Sequence, residues 1–356
     1  MKKTIAFAVG IIFAAAPFFA QNSYSESDLV WKDDFGGNMN LSKGINFGGW
    51  LSQCRHTKEH YDSFINEDDV RRAAGWGFDH IRLPFDSEVV QNPDGTFIEE
   101  GFSRLEKFVG WAEDSGLDVV LDLHKACGYD FNDAGTENGN PLFSSPHLQE
   151  LFLSLWNEVS SRFGGKKNVA FELLNEVVEQ EAAEPWNALI DRTLSVIRKN
   201  APETPVIYGG IQWNSARTLR LLRKPEFRNV IFTFHFYEPL IFTHQKAPWV
   251  PGMSPDREIK YPDTDGNLPG IELMRQMIGE ACAAAENAGV PVYCGEYGVI
   301  DRAPVKGTEA WFADVHKIFR EFGVGHAVWT YKEMDFGLTE SHYDEIRSEL
   351  IKMMTE

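Results

Sequence analysis

The chain of 356 residues is short of several things that would announce a function. It has four cysteines, Cys54, Cys127, Cys282 and Cys294, too few to staple a domain of this length. Basic residues are scarce, 34 Lys and Arg against 53 Asp and Glu, for a formal net charge of −19. Such acidity disfavours nucleic acid and anionic membranes as partners and suits a neutral ligand. No Gly-x-Ser-x-Gly elbow occurs, which argues against a serine hydrolase. His124, His235, Glu176 and Glu296 could surround a metal, but no His-x-His or Cys-x-x-Cys pair supports one, so neither metal nor cofactor is expected.

What is present begins with Met1-Lys2-Lys3 and an apolar stretch from Ile5 to Phe19, the pattern of a secretory signal peptide over 1–20. That predicts export, to the periplasm or the medium, and no membrane association once the segment is removed. A polar, poorly ordered arm is expected over 21–42, with a single domain from 43 to 356, most simply a monomer. In that domain short apolar runs alternate with helix-period stretches. Strands are predicted at 44–49, 79–84, 118–124, 169–176, 205–210, 230–237, 291–297 and 325–331. Helices are predicted near 67–75, 101–115, 148–162, 185–199, 216–222, 271–288, 308–321 and 341–354. Asn66 before an acidic turn, and Gly116 and Gly289 after helix ends, are boundary signals. Eight alternations without hairpins specify an α/β fold, a parallel (β/α)8 TIM barrel. A doubly wound sheet is the rival, disfavoured because no glycine-rich phosphate loop follows the first strand.

Two of the strands close on charge. Val169-Ala170-Phe171-Glu172-Leu173-Leu174-Asn175-Glu176 and Pro291-Val292-Tyr293-Cys294-Gly295-Glu296 each run from apolar residues to a glutamate. Burying a carboxylate is costly, so such residues call for a use. Two strand-end glutamates are the minimum equipment for glycoside hydrolysis. Arg82, His124, Asn175, His235, Tyr237 and Trp329 are placed at the same strand ends, where barrel chemistry sits. Arg82 and Tyr237 are expected on the same oxygen of one carboxylate, His235 on the other carboxylate, and Asn175 on a sugar hydroxyl. Singly, each has a plainer reading: Arg82 as a barrel-end ion pair, His124 as a hydrogen-bonded core residue, Asn175-Glu176 as a helix cap. Sugar faces stack on flat rings. Trp329 is the leading candidate for that, with Trp50, Trp213 and Trp249 in rim positions open to either stacking or packing. Trp76, Trp111, Trp156, Trp186 and Trp311 are read as packing residues. Cys294 shares the strand parity of Glu296 and is expected beneath the site, and a Cys54–Cys127 bridge between upper loops is possible.

These residues carry a resemblance. Gly44-Ile45-Asn46-Phe47-Gly48-Gly49-Trp50, Ile81-Arg82-Leu83-Pro84, Asp122-Leu123-His124, Leu174-Asn175-Glu176, His235-Phe236-Tyr237, Gly295-Glu296-Tyr297-Gly298 and Trp329 resemble glycoside hydrolase family 5 (cellulase family A) from Lys43 to the end. Longer runs, Phe171 to Glu179, Phe242 to Ala247 and Ala327 to Phe336, resemble its bacterial endoglucanase C type. The likeness implies a retaining endo-β-glucanase acting on β-1,4 and mixed β-1,3/1,4 glucans. It implies Glu176 as acid/base, Glu296 as nucleophile, and the other rim residues as a supporting shell. Two positions depart from the pattern: Val177 where proline is common, and Lys125 where a second histidine is. A β-mannanase or other β-glycanase on the same barrel, or a glycan-binding barrel without catalysis, are the alternatives.

Overall fold

A computed structural model describes residues 39–136, 139–263, 268 and 270–356. The predicted signal peptide, nearly all of the arm, and Trp31 lie outside the described residues. Eight parallel strands close in sequence order into a barrel. They are β1 (Lys43–Asn46), β2 (His80–Asp86), β3 (Asp118–Lys125), β4 (Val169–Glu172), β5 (Val206–Gly209), β6 (Val230–Phe236), β7 (Val292–Tyr297) and β8 (Gly325–Val328). Around them lie α1 (Lys58–Ser63), α2 (Glu67–Gly75), α3 (Glu99–Asp114), α4 (Pro146–Phe163), α5 (Ala183–Asn200), α6 (Leu240–Thr243), α7 (Ile271–Ala288), α8 (Val305–Phe322) and α9 (Arg347–Thr355). No helix among the described residues is long and apolar enough to cross a membrane.

Local chemistry explains most boundaries. Asn66 and Asp69 form a reciprocal capping box at the start of α2, and Gly289 takes the left-handed turn that ends α7. The predicted helix at 216–222 is instead a 3-10 turn, Ala216–Leu221. There the Thr218 hydroxyl donates to the carbonyls of Ser215 and Ile211, offering the backbone an alternative to α-helical pairing. The last predicted helix starts later, at Arg347, whose guanidinium instead satisfies the carbonyls of Leu338, Thr339 and Glu340.

Strand residues sort by parity into two cores, since successive side chains point to opposite faces. Outward residues such as Ile81, Val119, Leu121, Phe171 and Phe234 pack under the helices, together with Trp156, Trp186 and Trp311. Inward ones form a separate small layer of Val120, Ala170, Ile207, Ile231, Tyr293 and Ala327, closed from below by Leu41. The end of the predicted polar arm is thus the barrel floor. Above that layer the interior turns polar. The register between β6 and β7 slips after the Phe234–Cys294 pair, so that His235 lies opposite Glu296. This bulge at Gly295 turns Glu296 into the mouth, while Cys294 stays among the outer core residues. The parity argument for Cys294 fails for that reason. All four cysteines are free, so Cys54 and Cys127 are not bridged.

Candidate active site

Arg82, in the middle of β2, is fully buried. A guanidinium has five N–H donors in a fixed fork, and here each meets an acceptor. Nε and one Nη reach both oxygens of Glu172, at 2.7 and 3.0 Å. The remaining bonds go to Asn175 Oδ1 (2.8 Å), Asn46 Oδ1 (2.9 Å) and Glu296 Oε1 (2.8 Å). Asp122 Oδ2 stands 3.1 Å away. Burial works against the Arg82 charge, but Asp122, Glu172 and Glu296 outweigh it and hold its pKa well above the usual value.

Glu296 therefore accepts from Arg82 on one oxygen and from the Tyr237 hydroxyl on the other, at 3.0 Å. Glu176 lies four residues beyond the end of β4, on the loop rather than on the strand as predicted. One of its oxygens meets His235 Nδ1 at 2.8 Å. The second takes no hydrogen bond from any described side chain, and the side chain is 12% exposed. Ligand atoms of Glu176, His235 and Glu296 all lie within 4.8 Å of one another. Arg82 and Tyr237 share one carboxyl as expected, but they hold its two different oxygens and not the same one, and His235 Nδ1 lies 3.5 Å from Glu296 as well as 2.8 Å from Glu176.

Burial lifts both carboxyls to about 7. Two carboxyls this close titrate as a pair. Their donors set them apart: an arginine and a phenol on the two oxygens of Glu296 favour its ionised form, and Glu176 has no such pair. Burial pushes His235 down to about 4, leaving it neutral beside Glu176. A cation among Glu176, His235 and Glu296 would lie close to the buried Arg82 guanidinium already bound to Glu296 Oε1, which weighs against a metal there. A second group, His56, Asp86 and Glu88, is similarly close-set. There the Asp86 hydrogen bond pushes His56 up to about 10, which favours a protonated ring over a metal ligand.

Of the predicted tryptophans, Trp50 is a core residue, 2% exposed, its indole N–H donating to the Tyr61 carbonyl. The apolar run of the first strand continues inward at that point rather than turning to the rim. Trp213 and Trp249 are open, at 55% and 51%. The Trp213 backbone N–H donates to the Val177 carbonyl at 3.1 Å, which ties its loop to the one that carries Glu176. Trp329 is largely covered and lies parallel to the His124 ring, centroids 5.7 Å apart. Gly48 permits this, because a Cβ there would fall 2.6 Å from the indole. Lys125, the departure from the family pattern, is drawn to Asp130 at 2.6 Å.

Sequence reasoning passed over Glu172, Asp122, Asn46 and Gln53. Glu172 and Asp122 left a signal: each is an acid inside an apolar strand, with the parity of the inward layer and Arg82 on a nearby strand. Asn46, whose amide donates to the carbonyls of Gly295, Ala327 and Val328, left none beyond its place in the first motif.

Two carboxyls of unlike partnership facing each other across the mouth of an eight-stranded barrel define a glycoside hydrolase. More particularly, the chain belongs to the cellulase family, glycosyl hydrolase family 5, whose model matches residues 42–335. Cellodextrinase A of Ruminococcus flavefaciens is 41% identical over 285 residues, covering 80% of this chain and 83% of that one. Endoglucanase C of Acetivibrio thermocellus is 34% identical over 344 residues, covering 89% and 98%. A solved structure described as an endoglucanase superposes with a TM-score of 0.75 at 25% identity, covering 88% of this chain and 97% of that one.

Proposed function

We propose that this chain is an exported, retaining endo-β-glucanase acting on β-1,4 and mixed β-1,3/1,4 glucans, with Glu296 as nucleophile and Glu176 as acid/base. The observation that supports the mechanism is the unequal partnership of two carboxyls that face each other, one oxygen of each lying within 4.8 Å of the other, on the side of the close spacing. Retention needs carboxyls about 5–5.5 Å apart, whereas inversion needs about 6.5–9.5 Å to admit a water. Glu296, held ionised by Arg82 and Tyr237, attacks the anomeric carbon. Glu176 gives its proton from the uncommitted oxygen to the leaving oxygen, and the C–O bond breaks. A water then enters, loses its proton to Glu176, and displaces Glu296 from the sugar. Trp213, exposed on a loop tied to the one that carries Glu176, is a candidate to stack on a sugar of the substrate. Family membership and the names of the two relatives support the substrate class; the lysine-led apolar start supports export.

The test is the stereochemistry of the first product from mixed-linkage glucan, read by proton NMR before mutarotation. The β-anomer is expected first, and the α-anomer would overturn double displacement. Reducing-end release from barley glucan, carboxymethylcellulose and mannan, side by side, tests the substrate: mannan as the preferred polymer would overturn the glucanase reading.

A further inference from the structure

One side chain outside the catalytic pair is fixed in a way that packing does not require. Gln53, in the loop after β1, has φ +53, a left-handed conformation uncommon for a residue other than glycine. Its backbone N–H donates to Asp86 Oδ2 at 3.2 Å. The same oxygen meets His56 Nε2 at 3.1 Å, and His56 Nδ1 lies 2.6 Å from the Tyr61 hydroxyl. His56 thus clamps the carboxylate that holds the left-handed turn onto the end of β2. What the turn delivers is the Gln53 side-chain amide, 3.0 Å from His124 Nε2.

His124 is itself nearly closed in. Nδ1 faces Asp122 Oδ2 at 2.7 Å, an oxygen that also lies 3.1 Å from Arg82. An oxygen turned toward a guanidinium acts as an acceptor, so Nδ1 carries the ring proton. Nε2 is then a lone pair, and the Gln53 NH2 is the group that donates to it. The ring is held parallel to Trp329, at an interplanar angle of 8°. We propose that Gln53 is a positioning residue that fixes His124 as a neutral, Nδ1-protonated ring against the face of Trp329, its one acceptor nitrogen taken up by the Gln53 amide. This rests on the cleft being the glycosidase site proposed above.

The charged and titratable groups facing His124 are Asp122 and Lys125 on its own strand, Arg82 and Asp86 from β2, Asp130 from the following loop and His235 from β6. Gln53→Leu removes the donor while keeping bulk. Gln53→Glu replaces it with an acceptor, which the nitrogen can satisfy only by gaining a proton. With 15N-histidine-labelled protein, and His124→Ala to assign the signal, the wild-type ring is expected to show the Nδ1-H tautomer and no titration between about pH 5 and 9. Gln53→Glu is expected to bring a His124 titration into that window and a matching new limb into the pH profile of kcat/KM. Gln53→Leu is expected to lower kcat/KM by about tenfold, the factor of one ordinary hydrogen bond. A wild-type His124 in the Nε2-H tautomer or titrating near pH 6.5 would overturn the inference. So would Gln53→Leu and Gln53→Glu kinetics both equal to wild type. Absence of turnover in the wild-type chain would instead overturn the glycosidase reading, and the tautomer measurement would still decide the role of Gln53.

Discussion

The two ends of the barrel interior hold similar residues and use them differently. At the floor, His80 Nδ1 meets Asp79 at 2.6 Å and Nε2 meets the Tyr293 hydroxyl at 2.7 Å, with Leu41 beneath. Asp79 also accepts the Lys43 backbone N–H on both oxygens, at 3.0 Å each. Both ring nitrogens and both carboxylate oxygens are occupied by the protein itself. At the mouth the equivalent parts, His235 and Glu176, leave one carboxylate oxygen uncommitted toward the cleft. Buried polar groups that are fully satisfied specify structure, whereas one left short of a partner in a cleft is available to a substrate. The difference between scaffold and active site is therefore one of satisfaction and not of residue type.

Breaking the mouth is expected to have the larger effects. Glu296→Ala removes the nucleophile and should lower kcat by about 10⁵–10⁶, as loss of a covalent nucleophile does elsewhere. Added azide should restore turnover and yield a glycosyl azide of inverted configuration, detected by mass spectrometry and NMR. A variant that azide leaves inactive would count against the nucleophile role.

Glu176→Gln should cost about 10²–10⁴ in kcat on glucan, the range of general acid catalysis. The loss should be much smaller on an aryl glycoside whose leaving group needs no proton. The sign of the pH effect follows from burial, which lifts Glu176 to about 7. The acid form is needed, so kcat/KM should fall as pH rises past that value, and the alkaline limb should vanish in Glu176→Gln. An unchanged limb would assign the titration to another group.

Arg82→Met strands the carboxylates of Glu172, Asp122 and Glu296 in the interior. Removing one partner of a buried ion network costs about 3–5 kcal/mol, which chemical denaturation would read as a lower midpoint. A loss below about 1 kcal/mol, the scale of an exposed pair, would show that these acids are already neutral. At the floor, Tyr293→Phe leaves His80 Nε2 without its hydroxyl and should cost about 1 kcal/mol, with kcat/KM unchanged. A kinetic effect there would break the contrast between the two ends.

Much of this was legible along the chain. The alternation of apolar strand and amphipathic helix is periodic, and periodicity is a local property, so all eight strands were read in place. The two glutamates and their expected neighbours stood out because charge at the end of an apolar run needs a reason. Less was legible where distant residues decide. Trp50 and Trp213 both follow strands, yet one is core and the other open. Which it is depends on how α3 and the loop carrying Val177 pack, and neither is adjacent in sequence to the ring it covers or exposes.

The sequence by itself determined the barrel, its polarity, and two acids placed where strands end, because hydrophobic period and chain direction suffice for those. Only the tertiary structure decided which acid is ionised. That rests on Arg82 and Tyr237, 214 and 59 residues from Glu296, converging on it across the mouth. It rests equally on a single-residue slip at Gly295 that turns Glu296 inward. A proton's position is set by the field of groups brought together in space, and no local pattern along the chain contains that field.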